Sequence, residues 1–113
     1  MTSPVIKKNI VKKPWGTYEV LLDEPNYKVK RIIVYPYERF SLQYHKHREE
    51  HWVIVEGDGI VQVNRKEYPA IIRSHWVILP TELHRATAGP NGLVFIETQT
   101  CLLYTSDAAD EHS

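Results

Sequence analysis

The sequence is poor in several features that mark particular classes of protein. It has one cysteine, Cys101, so no internal disulfide can form, which is typical of a reducing compartment. Its 14 basic and 14 acidic side chains cancel, which argues against a protein that binds nucleic acid or an anionic membrane through its overall charge. No apolar run approaches the roughly 20 residues of a membrane helix, and the N-terminus lacks the apolar segment of an export signal. We therefore expect a small cytoplasmic protein with no nucleic-acid or membrane partner.

The pattern that is present is that of β-strands. The 113 residues are enough for one domain with one core. No stretch up to residue 100 keeps a 3.6-residue apolar period, whereas short segments rich in Val, Ile, Tyr and Trp recur between turn-forming residues. These segments predict strands near residues 17–22, 27–35, 40–46, 51–56, 59–64, 67–72, 75–80 and 93–99. Short strands at such close spacing predict an all-β fold, an antiparallel sandwich or barrel.

Alternate residues of a barrel strand face its interior. Lys30 shares a strand face with Ile32 and Val34, so we expect its side chain to point inward. Glu50 and His51 are neighbours and must face opposite sides of their strand. The predicted apolar lining consists of Val29, Ile33, Val53, Val55, Val61, Val63 and Ile78.

One segment, Phe-Ser-Leu-Gln-Tyr-His-Lys-His, carries two histidines at strand spacing. At a period of two, Gln43, His45 and His47 share one face, and two imidazoles so placed can reach one cation. Glu50 follows within a bend, and His84 lies at a later strand end, where a second hairpin could bring it across. Three imidazoles and a carboxylate suit Zn²⁺, Fe²⁺, Mn²⁺, Co²⁺ or Ni²⁺. The spacing thus predicts a site for one divalent metal ion.

Two alternatives stay open for these residues. The histidine face could be the solvent face, with Phe40, Leu42 and Tyr44 forming the core. His51 competes with Glu50 for the third ligand position. Both alternatives depend on which face of each strand is buried, and strand spacing alone does not decide that.

These motifs resemble a known family. His45-x-His47, Glu50, Pro80 and His84 resemble the two metal-binding motifs of the cupin superfamily. More narrowly, residues 12–99 resemble the cupin domain of type II phosphomannose isomerases. The segments that carry this resemblance are KPWGTYEV at 13–20, YKVKRI at 27–32, SLQYHKHREEHW at 41–52, HR at 84–85 and FIETQ at 95–99.

The resemblance implies a fold and a domain division. The expected fold is the cupin-type antiparallel β-barrel, a double-stranded β-helix or jelly roll, over residues 12–100. Residues 1–11 would form an N-terminal arm. Cupins often pair, so a homodimer is also considered.

The resemblance also implies a reaction, the interconversion of mannose 6-phosphate and fructose 6-phosphate for GDP-mannose and polysaccharide synthesis. One divalent metal ion would be bound by His45, His47, Glu50 and His84. Gln43 would be a further ligand, a support or a donor to the sugar phosphate. The substrate's phosphate needs fixed cations, and the candidates are Lys30, Arg48 and Arg85. No general base is assigned.

Other functions remain compatible with the same residues. The domain could be a non-catalytic metal- and sugar-binding module, or part of a bifunctional mannose-1-phosphate guanylyltransferase chain. A sugar-nucleotide epimerase on this fold would be expected to use a His–Asp base pair instead.

The chain departs from the family pattern at three places. Pro36-Tyr37 stands where the family has Pro-Gly, so the turn is expected to find another geometry. The family's glycine between Pro80 and His84 is absent. Residues 101–113 resemble translated sequencing adapter rather than the family's acidic continuation, so we expect a non-native tail. With that segment replaced, we expect the chain to isomerise mannose 6-phosphate weakly or not at all.

Overall fold

The computed structural model describes residues 9–101, which form strands and turns. No helix occurs in that range, and hence none long and apolar enough to cross a membrane. The strands are β1 (Ile10–Lys13), β2 (Gly16–Glu24), β3 (Tyr27–Val34), β4 (Arg48–Val63), β5 (Lys66–Ala70), β6 (His75–Ile78) and β7 (His84–Cys101).

The strands form one antiparallel sheet around two long central members. Its order is β1-β2-β3-β7-β4-β5, with β5 paired to residues 59–63 of β4 and β6 paired to residues 50–53 of the same strand. β4 and β7 have 16 and 18 residues and pair along nearly their whole lengths. Their register shifts between Ile54 and Gly59, and such a bulge bends the strands locally.

Gly57 permits this bend. Its φ is +83°, a left-handed conformation that L side chains rarely adopt. A Cβ at this position would lie 2.1 Å from the carbonyl oxygen of Gly92 on β7. The close approach of the two backbones therefore requires a residue without a side chain.

The core lies on the inner face of the bent sheet. Alternate residues of β4 and β7 are fully buried there, among them Trp52, Ile54, Leu93 and Phe95. The rings of Trp52 and Phe95 pack at a centroid distance of 4.4 Å. Phe40, from the connection between β3 and β4, extends this cluster at 6.1 Å from Trp52. Burial of these rings supplies much of the hydrophobic stabilisation.

The predicted all-β antiparallel fold is confirmed, but several predicted strand limits are wrong. Residues 40–46 form no named strand and touch the sheet through isolated bridges at Arg39 and Gln43. The predicted strands 51–56 and 59–64 are one strand, because Gly57 bends the ladder without ending it. β7 begins at His84 rather than near residue 93, since the Gly-Pro-Asn-Gly sequence there is a bulge within the strand and not a turn.

The predicted apolar lining is partly wrong. Val61 and Ile78 are buried as expected. Val53 and Val55 are 42% and 39% exposed, because Trp52 and Ile54 take the inner face of β4. Val29, Ile33 and Val63 are only half-buried. Both faces of these strands carry apolar residues, so their alternation in sequence did not identify the inner one.

The turn at Pro36-Tyr37 was expected to adopt a geometry other than that of the family's Pro-Gly, and this expectation is wrong. Tyr37 has φ of 64°, the left-handed conformation that glycine favours, although its side chain is large and 76% exposed. Its backbone N–H donates to the Gly89 carbonyl at 3.1 Å. The turn thus keeps a glycine-type conformation with a tyrosine in place, at a cost in backbone strain.

The predicted termini lie mostly outside the described residues. Ile10 and Val11 of the predicted arm belong to β1, which pairs with β2. Of the predicted non-native tail, only Cys101 is described, as the last residue of β7. The origin of residues 101–113 therefore stays a prediction.

Candidate functional site

Three side chains that are distant in sequence meet at one end of the sheet interior. Glu50 lies on the inner face of β4, and His84 is the first residue of β7. His45 lies on the connection before β4. In that connection, Gln43 exchanges backbone hydrogen bonds with His84 at 3.1 and 2.8 Å, and the His45 carbonyl accepts one from the Thr81 N–H at 2.7 Å. These backbone contacts hold the connection against the start of β7, so the three side chains converge.

The convergence has the dimensions of a metal site. One ligand atom from each of His45, Glu50 and His84 lies within 4.8 Å of the other two, and all three residues are buried. His45 Nε2 is 3.1 Å from Glu50 Oε2, and His84 Nε2 is 3.6 Å from Glu50 Oε1. Two atoms bound about 2.1 Å from one tetrahedral ion lie about 3.4 Å apart. The observed separations bracket that spacing.

His84 presents a lone pair toward Glu50. Its Nδ1 lies 2.9 Å from the Glu82 carbonyl oxygen, which can only accept, so Nδ1 carries the proton. Burial lowers the pKa of His84, which keeps its ring neutral near pH 7. A neutral imidazole with Nδ1–H bonded to a carbonyl is the form in which histidine binds a metal through Nε2.

Glu50 is held as a carboxylate. Burial alone would raise its pKa, but the hydrogen bond with His45 and the electrostatic interactions with His84 and Arg48 outweigh burial and hold the pKa well below its usual range. Arg48 donates to Glu50 Oε2 from Nε at 2.9 Å, and its Nη2 lies 2.8 Å from the same oxygen. Trp52 Nε1 donates to Oε1 at 3.0 Å. The carboxylate is therefore fixed in position before any ion binds.

The three residues fit a divalent cation. Two imidazoles and one carboxylate are the ligands that Zn²⁺ and its neighbours among the transition metals prefer. Arg48 Nη2 also lies 2.9 Å from His45 Nε2, so a cation would compete with this guanidinium for His45 and Glu50. The ligands therefore fit a divalent cation in type and spacing. To bind, the cation must displace the Arg48 guanidinium from His45 and Glu50.

A cavity of about 280 Å³ opens beside the cluster. Its wall combines aromatic rings with charged and amide groups, which is the usual make-up of a small-molecule site. The residues that line it are Lys13, Trp15, Tyr18, Lys30, Ile32, Phe40, Ser41, Gln43, Arg48, Trp52, His84 and Glu97.

Two charged groups in this wall have altered pKa values. Burial lowers the pKa of Lys30, whose Nζ lies 4.8 Å from the centre of the Tyr18 ring. Burial, aided by the negative charge of Glu50, raises the pKa of Glu97 to about 7. Clustered groups with such shifts are typical of functional sites.

Most predicted site residues reach this region. Gln43, Lys30 and Arg48 line the cavity, and Gln43 does so beside His84. His47 is half-buried and lies outside the cluster of ligand atoms, so its role as a ligand stays a prediction. Arg85 does not line the cavity, because its side chain leaves β7 on the face opposite to His84.

The structure decides between the alternatives that the sequence left open. His51 points outward and pairs with Glu49 at 2.8 Å, so it does not compete with Glu50. His45 and Phe40 are both buried, while Tyr44 is 52% exposed. The solvent-face interpretation of the histidine segment is therefore wrong for His45, because an irregular connection need not alternate as a strand does.

Two charged cavity residues were missed in the sequence. Glu97 lies on β7, where alternate residues Phe95, Glu97 and Gln99 face inward. The signal available in the sequence was an acidic residue at a position that alternates with other inward-facing positions of the same strand. Lys13 ends β1 and had no comparable signal, since the strand itself was not predicted.

The fold is that of the cupins. An RmlC-like cupin from Shewanella frigidimarina aligns with a TM-score of 0.76 over 84% of this chain and 85% of that chain, at 19% sequence identity. A cupin-2 domain from Rhodospirillum rubrum aligns with a TM-score of 0.76 over 97% of this chain and 81% of its own length, at 18% identity. At such identities the likeness shows the architecture alone.

Sequence similarity narrows the class to one family. The profile described as "Mannose-6-phosphate isomerase C-terminal" matches residues 3–109, so the chain belongs to that family. The alginate biosynthesis protein AlgA of Pseudomonas aeruginosa is 36% identical over 91 residues, 80% of this chain and 19% of that protein. A mannose-1-phosphate guanylyltransferase of Escherichia coli is 48% identical over 56 residues, 50% of this chain and 12% of its own length. The chain thus aligns with less than a fifth of the length of each of these relatives.

Proposed function

We propose that this chain is a metal-dependent aldose–ketose isomerase domain that interconverts mannose 6-phosphate and fructose 6-phosphate. The observation that carries the proposal is the cavity beside the His45–Glu50–His84 cluster, which brings ligands for a divalent ion and fixed cations together in one site. Membership of the mannose-6-phosphate isomerase C-terminal family supports the choice of substrate.

The metal ion would be Zn, Mn, Co, Ni or Fe, held by His45, Glu50 and His84, with His47 as the further ligand predicted from sequence. Bound there, the ion would supply a Lewis acid that polarises the sugar's carbonyl group. The neutral imidazole of His84 and the fixed carboxylate of Glu50 would bind a cation at neutral pH without a protonation change at these two groups.

The remaining cavity residues would bind and orient the sugar phosphate. Lys30 and Lys13 would offer ammonium groups to the phosphate, and Arg48 would add a further positive charge. Gln43 can donate to or accept from a sugar hydroxyl. The rings of Trp52 and Phe40 exclude water from that side of the cavity. Arg85 is left out of this assignment because it lies on the opposite face of its strand.

A second function is favoured by a different observation. Relatives named mannose-1-phosphate guanylyltransferase share this domain over 12% to 19% of their length. The chain could therefore serve as the isomerase part of a bifunctional guanylyltransferase, or as a metal- and sugar-binding module without turnover.

A cytoplasmic location and a homodimer also remain proposals, the first resting on the single cysteine.

Metal reconstitution followed by an isomerase assay tests the proposal. The chain is stripped with a chelator, reloaded with each of the five metals, and assayed for fructose 6-phosphate formation over long incubations, since slow turnover is expected. We expect about one ion per chain, and loss of both ion and activity in His84→Ala. His47→Ala tests the fourth ligand and should weaken binding if His47 completes the site. Lys66→Gln, an exposed change on β5, is the control.

The outcomes separate the candidates. Absence of metal and of any thermal shift on adding it would reject the metal site. Metal and fructose 6-phosphate binding without turnover, both in this chain and in one with a family-like segment grafted after Gln99, would reject the isomerase and favour the binding module.

A further inference from the structure

Glu97 is a buried acid without a contacting countercharge. Its residue is 5% exposed and lies on the inner face of β7, paired across the sheet with Trp52 and Lys30. Within the described part of the chain, its one hydrogen bond is from the neutral Gln99, Nε2 to Glu97 Oε2 at 2.6 Å. No ion pair joins it to Lys30 among the described residues, where Lys30 Nζ instead lies over the Tyr18 ring.

Glu19 is a second buried acid, and comparison with it shows what is unusual about Glu97. It is equally buried, at 4% exposure, and it is paired with Arg31 Nη2 at 2.5 Å. A carboxylate removed from water is destabilising unless it is paired in this way. Glu19 follows that rule, whereas Glu97 has only an amide for support. The fold thus retains at Glu97 an acid that is free to gain and lose a proton.

Glu97 also faces the place where a substrate would lie. It is the only acidic residue among the described residues that line the cavity, which it shares with Lys30, Gln43 and His84. The hydrogen bond from Gln99 fixes one carboxyl oxygen, and the other has no hydrogen-bond partner in residues 9–101. A general base needs this combination of a fixed position and an available oxygen within reach of the substrate.

We propose that Glu97 carries the proton between C2 and C1 of the sugar phosphate, a role that rests on the isomerase function proposed above. The Glu97 carboxylate takes the proton from C2 of open-chain mannose 6-phosphate. The C2–H electron pair forms the C1=C2 bond, and O1 takes up the former carbonyl pair together with the proton of the C2 hydroxyl. The C1=C2 pair then takes the proton from the Glu97 carboxyl at C1, while O2 forms the new carbonyl. No oxidant, reductant or further reactant is needed.

The burial of Glu97 suits this role. Its raised pKa lies near neutral pH, where a carboxyl group both accepts and returns a proton readily. The ammonium of Lys30, across the strand pair, is placed to attract the phosphate-bearing substrate without neutralising Glu97 by direct contact.

Deuterium exchange measures this step directly. The metal-loaded full chain is incubated with fructose 6-phosphate in D₂O, and deuterium at C1 is followed by NMR. Glu97→Gln should reduce exchange by about 10²-fold or more, with metal content unchanged and fructose 6-phosphate binding by calorimetry within about threefold of the unaltered chain. Glu19→Gln, which changes an equally buried acid outside the cavity, should leave exchange at the unaltered rate.

The results distinguish this inference from the function on which it rests. If the unaltered chain neither exchanges nor isomerises, the isomerase function fails and the role of Glu97 fails with it. If the unaltered chain exchanges and Glu97→Gln retains its rate, the function stands and Glu97 is not the proton carrier. Should Glu97→Gln fail to fold, Glu97→Asp decides. A loss of at least about tenfold in kcat with KM little changed supports the role, and an unchanged kcat overturns it.

Discussion

The two halves of the sheet interior use the same strands for opposite purposes. Toward the bend, β4 and β7 bury Ile54, Leu93 and Phe95, which are apolar. Toward the other end, the same inner faces bury Glu50 and Glu97, which are charged or titratable. Trp52 lies at the boundary, packing its ring on Phe95 and donating its N–H to Glu50. The alternation of a strand thus decides which positions are buried. The type of residue at those positions decides whether burial stabilises the fold or forms a polar site.

The energetic difference between the halves follows from solvation. The apolar half gains free energy from every side chain removed from water. The polar half loses solvation and recovers it only through specific partners, such as Arg48 for Glu50. Substitutions should therefore lower the free energy of unfolding in the first half and change binding or pH dependence in the second.

The largest expected effect is in the apolar half. Phe95→Ala should lower the free energy of unfolding by about 3–5 kcal/mol, because it removes a fully buried ring and leaves a cavity beside Trp52. Urea denaturation followed by tryptophan fluorescence measures the change. Val53→Ala, on the outer face of the same sheet, is the matched control. A loss below about 1 kcal/mol for Phe95→Ala would mean that this half is loosely packed.

An intermediate effect is expected from pH in the polar half. The pKa of Glu97 rises from 4.5 to about 7 on folding, so the folded chain binds this proton more tightly. The stabilisation is fully present below about pH 4.5 and is lost as pH rises toward and past 7. Relative to Glu97→Gln, the metal-free chain should therefore lose up to about 3 kcal/mol between pH 4.5 and 8.

Comparing the two proteins at each pH isolates Glu97. The lowered pKa of His84 acts in the opposite direction, because the unfolded chain takes up the His84 proton first and stability rises with pH. Both proteins contain His84, so its contribution cancels in the difference. Denaturation curves in chelator across this pH range make the measurement. A difference that does not vary with pH would show that the pKa of Glu97 is the same in the folded and the unfolded chain.

The smallest expected effect lies outside both halves. Tyr37→Gly should raise the free energy of unfolding by about 1 kcal/mol, because it relieves a left-handed backbone at an exposed side chain. The gain is partly offset by the greater freedom of glycine in the unfolded chain. Thermal denaturation against Tyr35→Gly, in the same connection without a left-handed backbone, is the control. Equal changes in both variants would show that Tyr37 bears no strain.

Much of the site could be predicted from the spacing of residues in sequence. His45 and Glu50 lie close together in the chain, and inward-facing Lys30 follows from its alternation with Ile32 and Val34. His84 was proposed as a partner because a second hairpin could bring its strand end across. The contact itself depends on tertiary structure, since the backbone bonds of Gln43 with His84 and of Thr81 with His45 bring the two segments together. His47 lies two residues after His45, a spacing at which both would face one side of a regular strand. Their segment is not a regular strand, so His47 is not in the cluster.

By itself, the sequence determined the class of fold and most of the candidate metal ligands. Period-two alternation, frequent turn residues and the histidine–glutamate spacing are local properties, which a chain carries before it folds. The tertiary structure decided which face of each strand is inside, because Val53 and Trp52 are both hydrophobic and only the packing of the folded sheet buries one and exposes the other. It also decided the surroundings of Glu97. A glutamate becomes a buried, titratable group only when strands from distant parts of the chain exclude water around it.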